Sequence, residues 1–175
     1  MYDFAIKKDF FKNSDFLKIK KQLLSLEYNP PSPEDTGRLS KQAYWHSRTV
    51  ETKSEIGDLI LSNIKNHFNF KIKKFHNILF TMVGNKPQLN PHIDLVKNKI
   101  EYQCLIYISG PISLENGTGF FTPKEVKNNK VSYFHTDYIG FEENKAIFFN
   151  SSKIHSPLQT LEKGDWRYSI VCFFC

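Results

Sequence analysis

The chain has 175 residues, enough for one hydrophobic core and with little room for a second domain. No apolar run approaches the ~20 residues of a bilayer-spanning helix, and the start MYDFAIKKDFFKNSDF carries acidic residues and lacks the apolar stretch of a secretory signal, so a soluble cytoplasmic protein with no membrane partner is expected. The net charge of +6 attracts anions, from nucleic acid to a small carboxylate, but Lys and Asn are abundant throughout the chain, so the charge alone selects no partner.

In chain order, residues 14–27 carry Phe16, Leu17, Ile19, Leu23, Leu24 and Leu26 close to a helical stripe, with Ser14 as the expected N-cap. The segment NPPSPEDTG holds three prolines and reads as a loop. Tyr44, Trp45 and His46 follow in RLSKQAYWHSR, which fits either a lid or substrate-contacting loop or a plain edge strand. Ile56, Leu59, Ile60 and Ile64 recur at spacings of three and four and predict a second helix over 51–67.

From residue 68 the rhythm becomes that of strands: FNFKIKKFHNILFTMV, then HIDLV, EYQCLIYIS, GTGFFT, KVSYFHTDYIG, AIFFN, KIHSPLQTL and RYSIVCFF, punctuated by Gly, Asn and Pro. The sixteen Phe and eight Tyr favour such strands and a bulky core. Two helices followed by many short strands predict a closed or sandwiched β core with helices packed outside. Cys104, Cys172 and Cys175 are an odd set within apolar patterns and read as reduced packing residues.

The chemistry concentrates in His92-Ile93-Asp94, His155 and Arg167. Positions i and i+2 of a strand face one way, so His92 and Asp94 can offer an imidazole nitrogen and a carboxylate oxygen to one ion, with His155 as a third ligand from a neighbouring strand. Two His and one carboxylate on one face of a metal leave positions open, which suits iron(II). A lone HxD is weak evidence, and His135-Thr136-Asp137 is a second one, close before His155 and followed by the polar turn GFEENK; it reads as surface or strand edge. Arg167 and Ser169 share a face of RYSIVCFF with no acidic residue on it. A buried guanidinium cannot shed its charge, so its natural partner is a carboxylate that arrives with a ligand.

With HxD, LIYISGPISLENGTGFF, AIFFNSSKIHS and GDWRYSIVCFF in this order, residues 78–175 resemble the iron(II)/2-oxoglutarate oxygenases, and within them the prolyl-hydroxylase-like branch. The resemblance implies a mainly β fold, a double-stranded β-helix or jelly roll over 68–175 with a helical part at 1–67 packed outside, together one domain over 1–175. It implies His92, Asp94 and His155 as ligands of Fe(II), and Arg167 with Ser169 as the anchor for the distal carboxylate of 2-oxoglutarate. Tyr107 occupies the place of a tyrosine that bonds the same carboxylate, with a plain core tyrosine as the alternative reading. One departure is Asn116-Gly117, where related sequences often carry two glycines.

The activity so implied is hydroxylation of an unactivated C–H bond, with 2-oxoglutarate converted to succinate and carbon dioxide and ascorbate as a candidate reductant. Halogenases of the fold lack the carboxylate ligand, so Asp94 favours hydroxylation. A peptidyl or free amino acid is the first substrate choice, a small metabolite next, a nucleic-acid base third. Two other classes stay open: a jelly-roll module that binds metal without catalysis, and a cupin-like metalloenzyme that uses no 2-oxoglutarate, against which Arg167 argues.

Overall fold

The structure is a computed structural model that describes residues 4–28, 45–68, 72–84, 91–94, 100–113, 115–127, 130–158 and 165–175. Their elements run β1 (Phe4–Lys7), α1 (Asn13–Leu24), β2 (Trp45–Val50), α2 (Glu55–His67), β3 (Phe75–Gly84), β4 (Tyr102–Ser109), β5 (Gly117–Lys127), β6 (Lys130–Gly140), β7 (Ala146–Asn150), β8 (Ile154–Leu158) and β9 (Trp166–Phe174). A six-stranded sheet has the order β1-β7-β4-β9-β3-β2 and a three-stranded sheet the order β6-β5-β8, with antiparallel pairing throughout.

Alternation along the strands splits the core in two. Cys104, Ile106 and Ile108 of β4, Ala146 and Phe148 of β7, and Ile170, Cys172 and Phe174 of β9 join Phe16, Ile19 and Leu23 of α1 and Ile56, Ile60 and Ile64 of α2 in one cluster. The helices therefore pack on the outer face of the large sheet through stripes at helical spacing. Each such fully buried Ile, Leu or Phe contributes roughly 1.5–3 kcal/mol. The opposite faces of the same strands, with Tyr107, Ile147 and Phe149, meet Phe120 and Ile139 of the small sheet, Phe141, and the partly buried Phe4 and Leu105. This second cluster lies between the sheets. Polar residues within it mark the site.

The helices begin differently from expectation. Lys12, not Ser14, caps α1, and no side chain completes the cap. At α2, Ser54 Oγ accepts from the Gly57 N–H at 3.1 Å. A Cβ at Gly57 would lie 2.4 Å from the Glu51 carbonyl oxygen, so only glycine permits that close turn into the helix. The stretch 1–67, expected to be helical, also supplies β1 and β2, the two edges of the large sheet. Trp45 and His46 begin β2 and pair with Val83 and Met82, which favours the edge strand over the lid; Tyr44, the proline-rich loop and most of the turn GNKPQLNP lie outside the described residues. Of the strand expected over HIDLV, the described part carries only an isolated bridge between His92 and His155. Among the described residues no helix is long and apolar enough to cross a membrane. Cys104, Cys172 and Cys175 are free thiols.

Candidate metal and carboxylate site

His155 sits on β8, at the edge of the small sheet, opposite Phe120 of β5. The His92 N–H donates to the His155 carbonyl and the His155 N–H to the His92 carbonyl, both at 2.9 Å. This reciprocal pair fastens the HxD segment to β8 without a strand, and it does so at the two residues whose rings must meet. Their ring centroids lie 4.8 Å apart.

Asp94 completes the cluster. Its two carboxylate oxygens lie 3.6 Å from His92 Nε2 and 3.3 Å from His155 Nε2. One ligand atom from each residue falls within 4.8 Å of the others, a spacing that a single ion can bridge. His155 Nδ1 lies 3.0 Å from the Lys153 carbonyl oxygen. A carbonyl only accepts, so Nδ1 carries a proton and Nε2, the nitrogen that faces Asp94, is the one that could serve a metal. Burial pushes the Asp94 carboxyl up, but the hydrogen bond and charge of His155, the charge of His92 and the Gln103 amide outweigh it and hold the group below its ordinary value. Ile93, between His92 and Asp94, is exposed.

The second HxD behaves as surface. His135 and Asp137 are exposed on β6, the far edge of the small sheet, and the His135 ring stacks on Phe121.

Arg167 and Ser169 point between the sheets, each only 2% exposed. Arg167 Nη1 donates to Asn116 Oδ1 at 3.2 Å, the Gly117 carbonyl at 2.6 Å and the Leu158 carbonyl at 3.4 Å. These partners are all neutral. Among the described residues no carboxylate forms an ion pair with it, and both Arg167 Nε and Ser169 Oγ are buried without a hydrogen-bond partner. Burial pushes the guanidinium below its ordinary value, against the Tyr107 and Tyr138 phenols. A fixed cation with an unused donor, next to an unused hydroxyl, is the chemistry of a carboxylate receptor.

Tyr107 lies beside this pair, directly opposite Ser169 in the β4–β9 register. Its hydroxyl is 2.7 Å from Thr118 Oγ1 and 3.3 Å from the Ile139 carbonyl oxygen, so its hydrogen bonds are already made within the protein. Burial pushes its pKa up to about 12 despite Arg167 and Thr118. Tyr107 therefore stands beside the Arg167–Ser169 pair with its hydroxyl already engaged by Thr118, not as a free donor.

No family model and no curated protein matches the sequence. Solved structures do. A Trichoplax adhaerens prolyl hydroxylase in complex with a hypoxia inducible factor peptide fragment aligns at TM-score 0.68 and 14% identity, over 98% of this chain and 83% of that one. A Pseudomonas putida prolyl-4-hydroxylase aligns at 0.64 and 12%, over 99% and 93%. HygX from Streptomyces hygroscopicus, with nickel and 2-oxoglutarate bound, aligns at 0.65 and 12%, over 98% and 82%. This chain has the iron(II)/2-oxoglutarate oxygenase fold.

Within that oxygenase fold, three residues given no role from the sequence line the site. Asn116 Oδ1 holds Arg167 while its Nδ2 donates to the Pro111 carbonyl at 2.8 Å, which explains an amide where a second glycine is usual. Thr118 partners Tyr107. Gln103 stands beside Asp94. A glycine is kept at 117 for space, since a Cβ there would lie 2.1 Å from the Ile139 carbonyl oxygen. The signal for Gln103 was available: it is the lone amide in EYQCLIYIS, on the same face as Tyr107.

Proposed function

We propose that the chain is an Fe(II)- and 2-oxoglutarate-dependent dioxygenase that hydroxylates a C–H bond of a peptidyl or free amino acid. The observation that carries this reading is the meeting of two imidazoles and a carboxylate at one end of the inter-sheet space, with an uncompensated guanidinium also buried between the sheets. A cation alone would be served by the triad; a dicarboxylate explains the guanidinium as well.

In this reading His92, Asp94 and His155 hold the metal. The Lys153 carbonyl keeps His155 in the tautomer that ligates through Nε2. Arg167 Nε and Ser169 Oγ bind the distal carboxylate of 2-oxoglutarate, while Asn116 and the Gly117 carbonyl fix the guanidinium so that little rotamer freedom is lost on binding. The Tyr107 ring, with the Arg167 guanidinium carbon 5.5 Å from its centroid, forms one wall. Phe120 and Phe149, whose centroids lie 6.5 and 5.1 Å from the His155 ring, and Phe4, stacked 5.3 Å from Phe120, exclude water. Bound iron with 2-oxoglutarate and dioxygen supplies the oxidising power, and the protein supplies orientation and a dry cavity.

The amino-acid substrate follows from the likeness to prolyl hydroxylases, one of which is bound to a peptide. The test is succinate formation from 2-oxoglutarate with Fe(II) and ascorbate, in wild type and His92→Ala, with peptides, free amino acids and oligonucleotides screened for stimulation. Succinate in wild type only, increased by a proline-containing peptide or amino acid, is the expected result. Equal turnover in both proteins would overturn the assignment.

A further inference from the structure

Gln103 is 1% exposed on the inner face of β4, in register with Phe149 of β7 and Phe173 of β9. A buried primary amide between two phenyl groups is unfavourable unless it bonds, and its Nε2 has no hydrogen-bond partner among the described residues. It shares a cross-strand row with Phe149, whose ring lies 5.1 Å from the His155 ring, and from there it reaches toward the Asp94 carboxylate that it helps to hold down.

The Asp94 oxygens currently face His92 Nε2 and His155 Nε2. When the imidazoles turn those nitrogens to an ion, neither can donate to the carboxylate, and one carboxylate oxygen is committed to the ion. The other oxygen is left in a partly buried place needing a donor. Gln103 is the unused donor beside it.

We propose that Gln103 is a positioning residue for the metal centre: its amide N–H bonds the Asp94 oxygen that does not ligate, and so fixes the carboxylate as a one-oxygen ligand. This rests on the metal site described above. The bond explains why a polar side chain is kept in an otherwise apolar row, and it would close only with metal present.

The test is titration of the metal-free protein with Co(II), followed by absorption, in wild type, Gln103→Leu and Gln103→Met. Loss of a hydrogen bond to a metal ligand typically weakens metal binding about 10–100-fold, and that loss with an altered Co(II) ligand-field spectrum is expected in both variants. Metal-free melting temperatures should stay level or rise, because an unpartnered buried amide has been removed. Adding Gln103→Leu to Asp94→Ala should weaken Co(II) binding no further. Unchanged affinity and spectrum, a further loss in the Asp94→Ala background, or a loss confined to 2-oxoglutarate binding by metal-saturated protein would each overturn the proposal. Should Gln103→Leu not fold, Gln103→Met decides on the same readouts. Failure of wild type to take up Co(II) is a separate outcome, which removes the metal-site reading and this inference with it.

Discussion

The Arg167 guanidinium carbon lies 5.5 Å from the centroid of the Tyr107 ring, and the positions of these two residues are set by the same pair of strands. The ring faces give the cation a weak electrostatic partner, worth about 0.5–2 kcal/mol, and leave its hydrogen-bonding edge for a ligand. Replacing Arg167 by Met keeps the packing volume and removes the charge. The substitution strands no carboxylate and relieves a buried charge, but it takes the donor from Asn116 Oδ1 and the Gly117 carbonyl, so folding stability should change little. Binding of 2-oxoglutarate loses a charge-assisted hydrogen bond or two, at about 1.5–3 kcal/mol each, and should weaken about 100-fold or more. Calorimetric titration of metal-loaded protein measures it; unchanged affinity would remove Arg167 as the anchor.

Asn116 reaches Arg167 and Pro111 with the two ends of one amide. Asn116→Gly restores the glycine pair usual in related sequences and deletes both bonds. Each is worth about 1 kcal/mol, so 2-oxoglutarate affinity should fall roughly 5-fold while metal binding stays constant. A fall in metal affinity of equal size would show that the substitution has disturbed the small sheet as a whole.

His155→Ala should cut Fe(II) or Co(II) affinity by at least ~100-fold, beyond what the loss of a supporting hydrogen bond costs. The fold should persist, since β8 pairs through its backbone. Asp137→Ala, in the second HxD, should bind as wild type does. Metal content per chain after equilibrium dialysis separates the two.

Alkaline pH should destabilise the protein through its buried thiols. Burial, with Cys172 adding to it, raises the Cys104 thiol well above 9.0, and burial raises Cys172 too. Above about pH 9 the unfolded chain releases these protons and the folded chain keeps them, so stability present below that pH is lost as pH rises. Cys172→Ala starts lower, by a cavity cost of about 1–2 kcal/mol, but its stability should decline less steeply between pH 8 and 10.5. Urea unfolding across that range gives the slope.

The order and faces of the strands were legible because aromatic and β-branched residues alternate with a period of two, and the helical stripes of α1 and α2 because Phe16, Ile19, Leu23 and Ile56, Ile60, Ile64 recur at helical spacing. β1 was not legible: Phe4–Lys7 is four residues long, and only its pairing with β7 makes it a strand. Ser14 has cap chemistry but lies inside α1, because the chain turns into the helix at Lys12. The face shared by His92 and Asp94 was argued from a strand, yet the described residues carry a single bridge. The juxtaposition survives because the two reciprocal backbone bonds act at His92 itself. The role of Asn116, noted only as a departure from a glycine pair, escaped because Arg167 lies fifty-one residues along the chain and leaves no local pattern.

Because β1 and β2 flank the large sheet, the first fifty residues supply both of its outermost strands. A shortened protein starting after Val50 would leave β7 and β3 with open rows of amide and carbonyl groups, a template for joining one molecule to the next. The N-terminal segment thus covers two strands that would otherwise be edges, and it also brings Phe4 to the phenyl ring beside His155.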